Sequence, residues 1–238
     1  MALEKMRRRW EAALQPGLQF FHRFSPATIT WLALPLGVAG GLLAMYAPND
    51  TSGGGWLLGG AVMIALAMLF DGLDGSLARA KGEVTRWGDY LDHTIDRLLD
   101  ATWVVCISAS VFVGDITLGF AAAFLTLLGS YMGTQAQAVA GARNYRGFSR
   151  ADRTILTLLS LVVMGLMLIM NWSVDAAYPA PFDHVQVNPM SLIVFVSALG
   201  GLWTFLVRFA QARQEIQALD IAEPLPQPSA KGDVEDSV

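Results

Sequence analysis

The chain has 238 residues, of which 54% are hydrophobic and only 15% charged, and its mean hydropathy is +0.45; soluble domains carry about 25% charged residues. A soluble core cannot bury so much apolar surface and keep a polar skin, and several almost uncharged stretches approach the ~20 residues that cross ~30 Å of hydrocarbon, so this is a polytopic membrane protein. A single cysteine (Cys106) excludes an internal disulfide, three scattered histidines (His22, His93, His184) argue against a Cys/His zinc cluster, and a net charge of −4 gives no reason to expect a nucleic-acid partner.

In residues 1–24, Glu11, Pro16 and Arg23 interrupt any apolar run a signal peptide would need. Leu3, Met6, Trp10, Ala13 and Leu14 recur at helical spacing opposite Lys5, Arg8 and Arg9, which predicts an amphipathic helix on the inner membrane surface. A six-span domain is expected over 25–212, with spans at 28–47, 56–73, 91–113, 116–138, 154–171 and 190–207. Turn residues separate them: Ala47-Pro48-Asn49-Asp50, Gly53-Gly54-Gly55, Gly114-Asp115 and Tyr178-Pro179-Ala180-Pro181. Residues 213–238 read as a cytoplasmic tail, rich in Pro, Ser and Asp from about Glu223 and expected to be disordered.

The basic residues orient the spans. All 16 Lys and Arg fall at the two ends of the chain or around the connections after spans two and four. The other connections carry Asp50, Asp115, Asp175 and Asp183 instead. Positive charge inside then places both termini in the cytoplasm of an all-α, multi-pass protein of the cell (inner) membrane.

Residues 71–100, at the cytoplasmic end of span two and into span three, contain Asp71, Asp74, Asp89, Asp92, Asp96 and Asp100. An aspartate at membrane depth costs ~2.5–3.5 kcal/mol, so these residues should face an internal, water-accessible cavity. At 100° per residue Asp71, Asp74, Gly75, Ala78 and Arg79 share one stripe, and Gly88, Asp89, Asp92, Asp96 and Asp100 share another. Two antiparallel helices joined near Lys81-Gly82 can oppose these stripes. Carboxylates so placed must protonate or bind cations, and hard oxygen ligands point to Mg²⁺, Mn²⁺ or Ca²⁺. So many point to two ions clamping a phosphate. Gly75 and Ala78 leave room for a ligand, and Arg79 can hold a phosphate by two parallel hydrogen bonds.

Asp71-x2-Asp74-Gly75-x2-Ala78-Arg79-x8-Gly88-x3-Asp92-x3-Asp96 resembles the complete signature of the CDP-alcohol phosphotransferases, in every fixed residue and every spacing. The resemblance implies a membrane-embedded six-helix fold, usually homodimeric, that moves a substituted phosphate from a CDP-linked lipid to an alcohol and releases CMP. It implies that Asp71, Asp74 and Asp92 bind metal and that Asp96 binds metal or acts as the base; the charges then suit two Mg²⁺ or Mn²⁺ ions bridged by Asp71, Asp74, Asp92 and Asp96, with Asp96 as the general base. Gly75, Ala78 and Arg79 would line the CDP site. Many members begin span one with Pro-Asn, where this chain has Ser25-Pro26-Ala27-Thr28.

In the connection after span four, Arg143, Arg146, Arg150 and Arg153 stand at i, i+3, i+7 and i+10, a spacing that gives one basic face if the segment is helical. Arginines there can anchor the loop on anionic headgroups or bind a phosphate on the acceptor; Arg143, Arg150 and Arg153 are the candidates for the second role. Arg150-x2-Arg153 is similar to the inositol-phosphate-using branch of the family, although Tyr131-Met132-Gly133-Thr134-Gln135-Ala136-Gln137 lacks the basic residue expected there. Gln135 and Gln137 can hydrogen-bond polyol hydroxyls. A phosphorylated polyol, inositol phosphate ahead of glycerol 3-phosphate, is the expected acceptor, and the donor lipid is CDP-diacylglycerol or CDP-archaeol. The competing reading is a divalent-cation transporter or channel; it predicts carboxylates spread through the membrane, whereas these cluster at one end.

Overall fold

Each helix starts at a residue whose side chain accepts from first-turn backbone N–H groups that have no partner within the helix. The computed structural model describes residues 21–141 and 145–224. Its helices are α1 (Pro26–Met45), α2 (Thr51–Lys81), α3 (Arg86–Ala109), α4 (Ile116–Ala140), α5 (Arg150–Ile169) and α6 (Pro189–Ala222). Ser25, Asp50, Thr85, Asp115, Ser149 and Asn188 are their caps, and Ser149 and Asn188 complete reciprocal boxes with Asp152 and Ser191. At Asp115 the bond from the Leu118 N–H, with His184 beside it, holds the carboxyl below its ordinary range. Among the described residues the only pairing of extended backbone is an isolated bridge between Ala177 and Gln186.

Five helices are long and apolar enough to cross a membrane: α1, α2, α4, α5 and α6. The remaining one, α3, carries Asp89, Asp92, Asp96 and Asp100. α2 extends past both ends of the expected 56–73 span. Its 31 residues make a rod of roughly 46 Å, longer than the hydrocarbon is thick, and it stops only where Gly82 turns into the left-handed region at φ 70°. α6 continues past Arg213 to Ala222, into the stretch read as a tail. The expected N-terminal surface helix falls mainly on residues 1–20, and the last part of the tail on 225–238, both outside the described residues.

Small residues bring the helices close. A Cβ on Gly40 of α1 would stand 2.9 Å from the Gly60 carbonyl of α2, and one on Gly54 of α2 would stand 2.6 Å from the Gly165 carbonyl of α5. Such backbone contact replaces the hydrophobic drive that lipid does not supply between helices. α1 packs on α2 and α3, α2 on α5, and α4 on α3 and α6. Leu57, Ile64, Leu99, Trp103, Ile107, Leu161 and Val194 fill the centre, where the Trp103 indole N–H donates to the Gly37 carbonyl at 2.8 Å. This frame sets the end of α2, the first half of α3 and the start of α5 beside one another.

Candidate active site

The two acidic stripes face each other, as their periodicity predicts. Asp71 of α2 and Asp96 of α3 are bridged by one guanidinium, Arg150, at 2.9 and 2.7 Å, and Asp92 lies one helical turn from Asp96 on α3. Asp74, buried at 6% exposure, accepts at Oδ1 from the Gly75 N–H and at Oδ2 from the Thr30 hydroxyl of α1. Like-charged carboxylates this close repel unless they share a proton or a cation. The donor set is almost wholly oxygen, which fits a hard divalent ion such as Mg²⁺ or Mn²⁺. One His93 ring nitrogen joins Asp92 and Asp96 within 4.8 Å, and the ring stands 3.8 Å from the carboxylates of both Asp89 and Asp92.

A cavity of about 660 Å³ opens beside the carboxylates, and Gly75, Ala78, Arg79, Gly88 and Asp92 all line it. At Gly75 an added Cβ would meet only Arg79 Nη1, at 3.4 Å, so the missing side chain is felt as free space above α2 rather than as helix contact. Arg79 donates to Ser76 Oγ at 3.3 Å. Ser25, Pro26, Ala27 and Thr30 form the α1 wall, and Trp87 and Glu83 also reach the cavity. Lys81 Nζ donates to the Phe24 carbonyl at 2.8 Å and ties the end of α2 to the chain entering α1.

The arginines at the start of α5 turn inward. Arg150 places Nη1 2.9 Å from Asp71 Oδ2, Nη2 2.7 Å from Asp96 Oδ1 and Nε 3.4 Å from Asp100 Oδ1. Arg153, 8% exposed, pairs with Asp100 Oδ2 at 2.6 Å and donates to the Phe148 carbonyl. Arg97 reaches the same Asp100 oxygen at 3.1 Å. Arg97, Arg150, Arg153 and Arg208 line a second cavity of about 280 Å³ with Tyr145 and Ser149. A wider groove holding Gln137, Tyr90 and Tyr131 shares His93, Arg97, Ser130 and Tyr145 with it. Arg143 lies outside the described residues, and Arg146 sits in the non-helical stretch 145–149 before the Ser149 cap, so no single helical face carries Arg146 together with Arg150 and Arg153.

Sequence reasoning did not single out Thr30, His93 or Arg97, and left Asp100 at the edge of the set. Arg97 and Asp100 carried a readable signal, an i,i+3 pair of opposite charge on the acidic stripe. His93 carried a weaker one, its i,i+4 spacing from Asp89, and Thr30 carried none.

Residues 23–203 match the family model described as CDP-alcohol phosphatidyltransferase. The chain is 25% identical over 224 residues to the phosphatidylinositol phosphate synthase of Cutibacterium acnes, covering 91% of this chain and 100% of that one. It is 33% identical over 137 residues to the archaetidylinositol phosphate synthase of Methanothermobacter thermautotrophicus, covering 58% and 69%. Among solved structures, the phosphatidylinositol phosphate synthase of Mycobacterium tuberculosis with CDP-DAG bound superposes with a TM-score of 0.63 at 25% identity, covering 83% of this chain and 92% of that one. The same enzyme in complex with manganese and citrate shares the fold at 24% identity, with a TM-score of 0.63 and coverage of 83% and 88%.

Proposed function

The chain belongs to the CDP-alcohol phosphatidyltransferase family, a transferase of phospholipid synthesis built from membrane helices, and from that premise we propose that it moves the phosphatidyl group of a CDP-linked lipid to the hydroxyl of inositol phosphate. CDP-diacylglycerol or CDP-archaeol is the donor, CMP is released, and glycerol 3-phosphate is the acceptor next in line. The observation that carries this reading is that Arg150 belongs at once to the carboxylate cluster and to the arginine-lined cavity. A phosphate held by the arginines therefore brings its own hydroxyl up to the acidic residues. Relatives named for phosphatidylinositol phosphate and archaetidylinositol phosphate synthesis support the choice of acceptor, and the bound CDP-DAG of a structural neighbour supports the donor.

Asp71, Asp74, Asp92 and Asp96 would hold two Mg²⁺ or Mn²⁺ ions. Bound there, the ions supply positive charge that neutralises the donor diphosphate and the departing CMP. Gly75 and Ala78 give the CDP moiety room against α2, and Arg79 holds a phosphate oxygen. Arg150 and Arg153 orient the acceptor through its phosphate. Asp96 takes the proton as the acceptor oxygen bonds to the lipid-side phosphorus and the bond from that phosphorus to CMP breaks. The acidic α3 serves as a sixth span, facing the bundle rather than lipid. Both termini and the site then face the cytoplasm, and the chain acts as a homodimer.

The test is CMP release by purified protein from CDP-diacylglycerol, with inositol phosphate, glycerol 3-phosphate, free inositol and serine supplied in turn. Release should require a phosphorylated polyol and be fastest with inositol phosphate. Equal rates with free inositol or serine would remove the role given to the arginines.

A further inference from the structure

Asp74 is held from two sides, and one of them is a helix outside the acidic signature. Its Oδ1 accepts from the Gly75 N–H of its own helix, and its Oδ2 from the Thr30 hydroxyl of α1. Both side chains are buried, at 6% and 4% exposure. The Thr30 hydroxyl has one proton and two acceptors in reach, since the Pro26 carbonyl lies 3.1 Å away. The bond to the carbonyl four residues back is open to any helical threonine. The bond to Asp74 joins residues 44 apart in the chain, and a carboxylate is the stronger acceptor.

We propose that Thr30 is a positioning residue for Asp74: it fixes the plane of a metal-binding carboxylate and couples that carboxylate to the α1 wall of the donor cavity. A carboxylate offers about four lone-pair sites, so one bond at each oxygen restrains its rotation and still leaves sites for a cation. Thr30 itself lines the donor cavity beside Pro26 and Ala27. A donor that presses on this wall therefore acts on Asp74, and a cation held by Asp74 acts on the wall. The inference rests on the metal-binding role proposed above for Asp74.

The experiment measures Mn²⁺ binding to purified protein by the electron paramagnetic resonance of the free ion, with donor and acceptor KM alongside. Thr30→Val keeps the shape and removes the donor, Thr30→Ala also removes it without crowding α2, and Thr30→Ser retains the hydroxyl. Outer-shell partners of metal ligands typically change affinity by 10–100-fold. The Val and Ala variants should weaken Mn²⁺ binding and raise donor KM by roughly that range, leave acceptor KM unmoved, and regain Mn²⁺ affinity as Ser. In an Asp74→Asn background the same substitutions should have no further effect on Mn²⁺. Wild-type Mn²⁺ affinity in both hydroxyl-free variants would overturn the inference even if their melting temperatures fell, as would full additivity with Asp74→Asn. A wild type that binds Mn²⁺ but releases no CMP with any acceptor would instead defeat the functional reading, and the Mn²⁺ comparison would still report on Thr30.

Discussion

Arg153 and Asp100 form a 2.6 Å ion pair that joins the first turn of α5 to α3, with both side chains removed from solvent. Asp100 also receives Arg97 at 3.1 Å and Arg150 at 3.4 Å, so one buried carboxylate gathers three guanidinium groups along the second cavity. Removing one partner of a buried pair leaves charge uncompensated and costs about 3–5 kcal/mol. Asp100→Asn should therefore lower the melting temperature of the purified protein and raise acceptor KM, with donor KM little changed. A variant as stable as wild type would mean that the arginines are held by something other than Asp100.

Arg150 and Arg153 should separate in kinetics because their partners differ. Both reach Asp100, but Arg153 also donates to the Phe148 carbonyl, whereas Arg150 also touches Asp71 and Asp96. Arg153→Ala should raise acceptor KM far more than donor KM, the mark of a lost binding contact. Arg150→Lys, which cannot span two carboxylates with one planar fork, should lower kcat as well. Equal rises in both KM values for Arg153→Ala would leave Arg153 a structural ion-pairing role with no contact to the acceptor.

The two acidic stripes were legible in the sequence as helical periodicity. The stripes of Asp71, Asp74, Gly75 and Ala78 and of Gly88, Asp92 and Asp96 follow from 3.6 residues per turn, and Gly82 supplies the break between them. Helix ends were less legible. Hydropathy falls away where a helix leaves the bilayer, but the backbone hydrogen bonds do not, so α2 runs on to Lys81 and α6 to Ala222. Contacts between helices left no trace in the sequence. Thr30 to Asp74 spans 44 residues and Arg153 to Asp100 spans 53, and neither pair belongs to a repeating pattern. For the same reason the sequence could not decide whether Arg150 and Arg153 point to headgroups or inward; packing of α5 against α2 turns them to the carboxylates.

The carboxylate cluster should be inert without divalent ions. Chelation with EDTA should abolish CMP release, and Mg²⁺ or Mn²⁺ should restore it. Full turnover after exhaustive chelation would remove the metal from the account and leave the carboxylates to share protons instead.

Gly75 offers a test of the donor cavity that spares the fold. Because an added Cβ meets nothing nearer than Arg79 Nη1 at 3.4 Å, Gly75→Ala should fold and melt close to wild type. The methyl group projects where the CDP moiety is placed, so donor KM should rise while acceptor KM holds. An unchanged donor KM would move the nucleotide elsewhere in the cavity.

The central claim is that Asp96 is a proton acceptor within a metal-binding carboxylate set, and it is tested by comparing donor binding with turnover in Asp96→Asn and Asp71→Asn. Asparagine keeps the size and one oxygen ligand but cannot take the proton. Asp96→Asn should bind CDP-lipid almost as wild type while CMP release falls by roughly 10²–10⁴-fold, the range for general base catalysis. Asp71→Asn should weaken metal and donor binding together. If Asp96→Asn lost donor binding as badly as Asp71→Asn, Asp96 would be mainly a metal ligand with no role as the base, and the account would be contradicted at its centre.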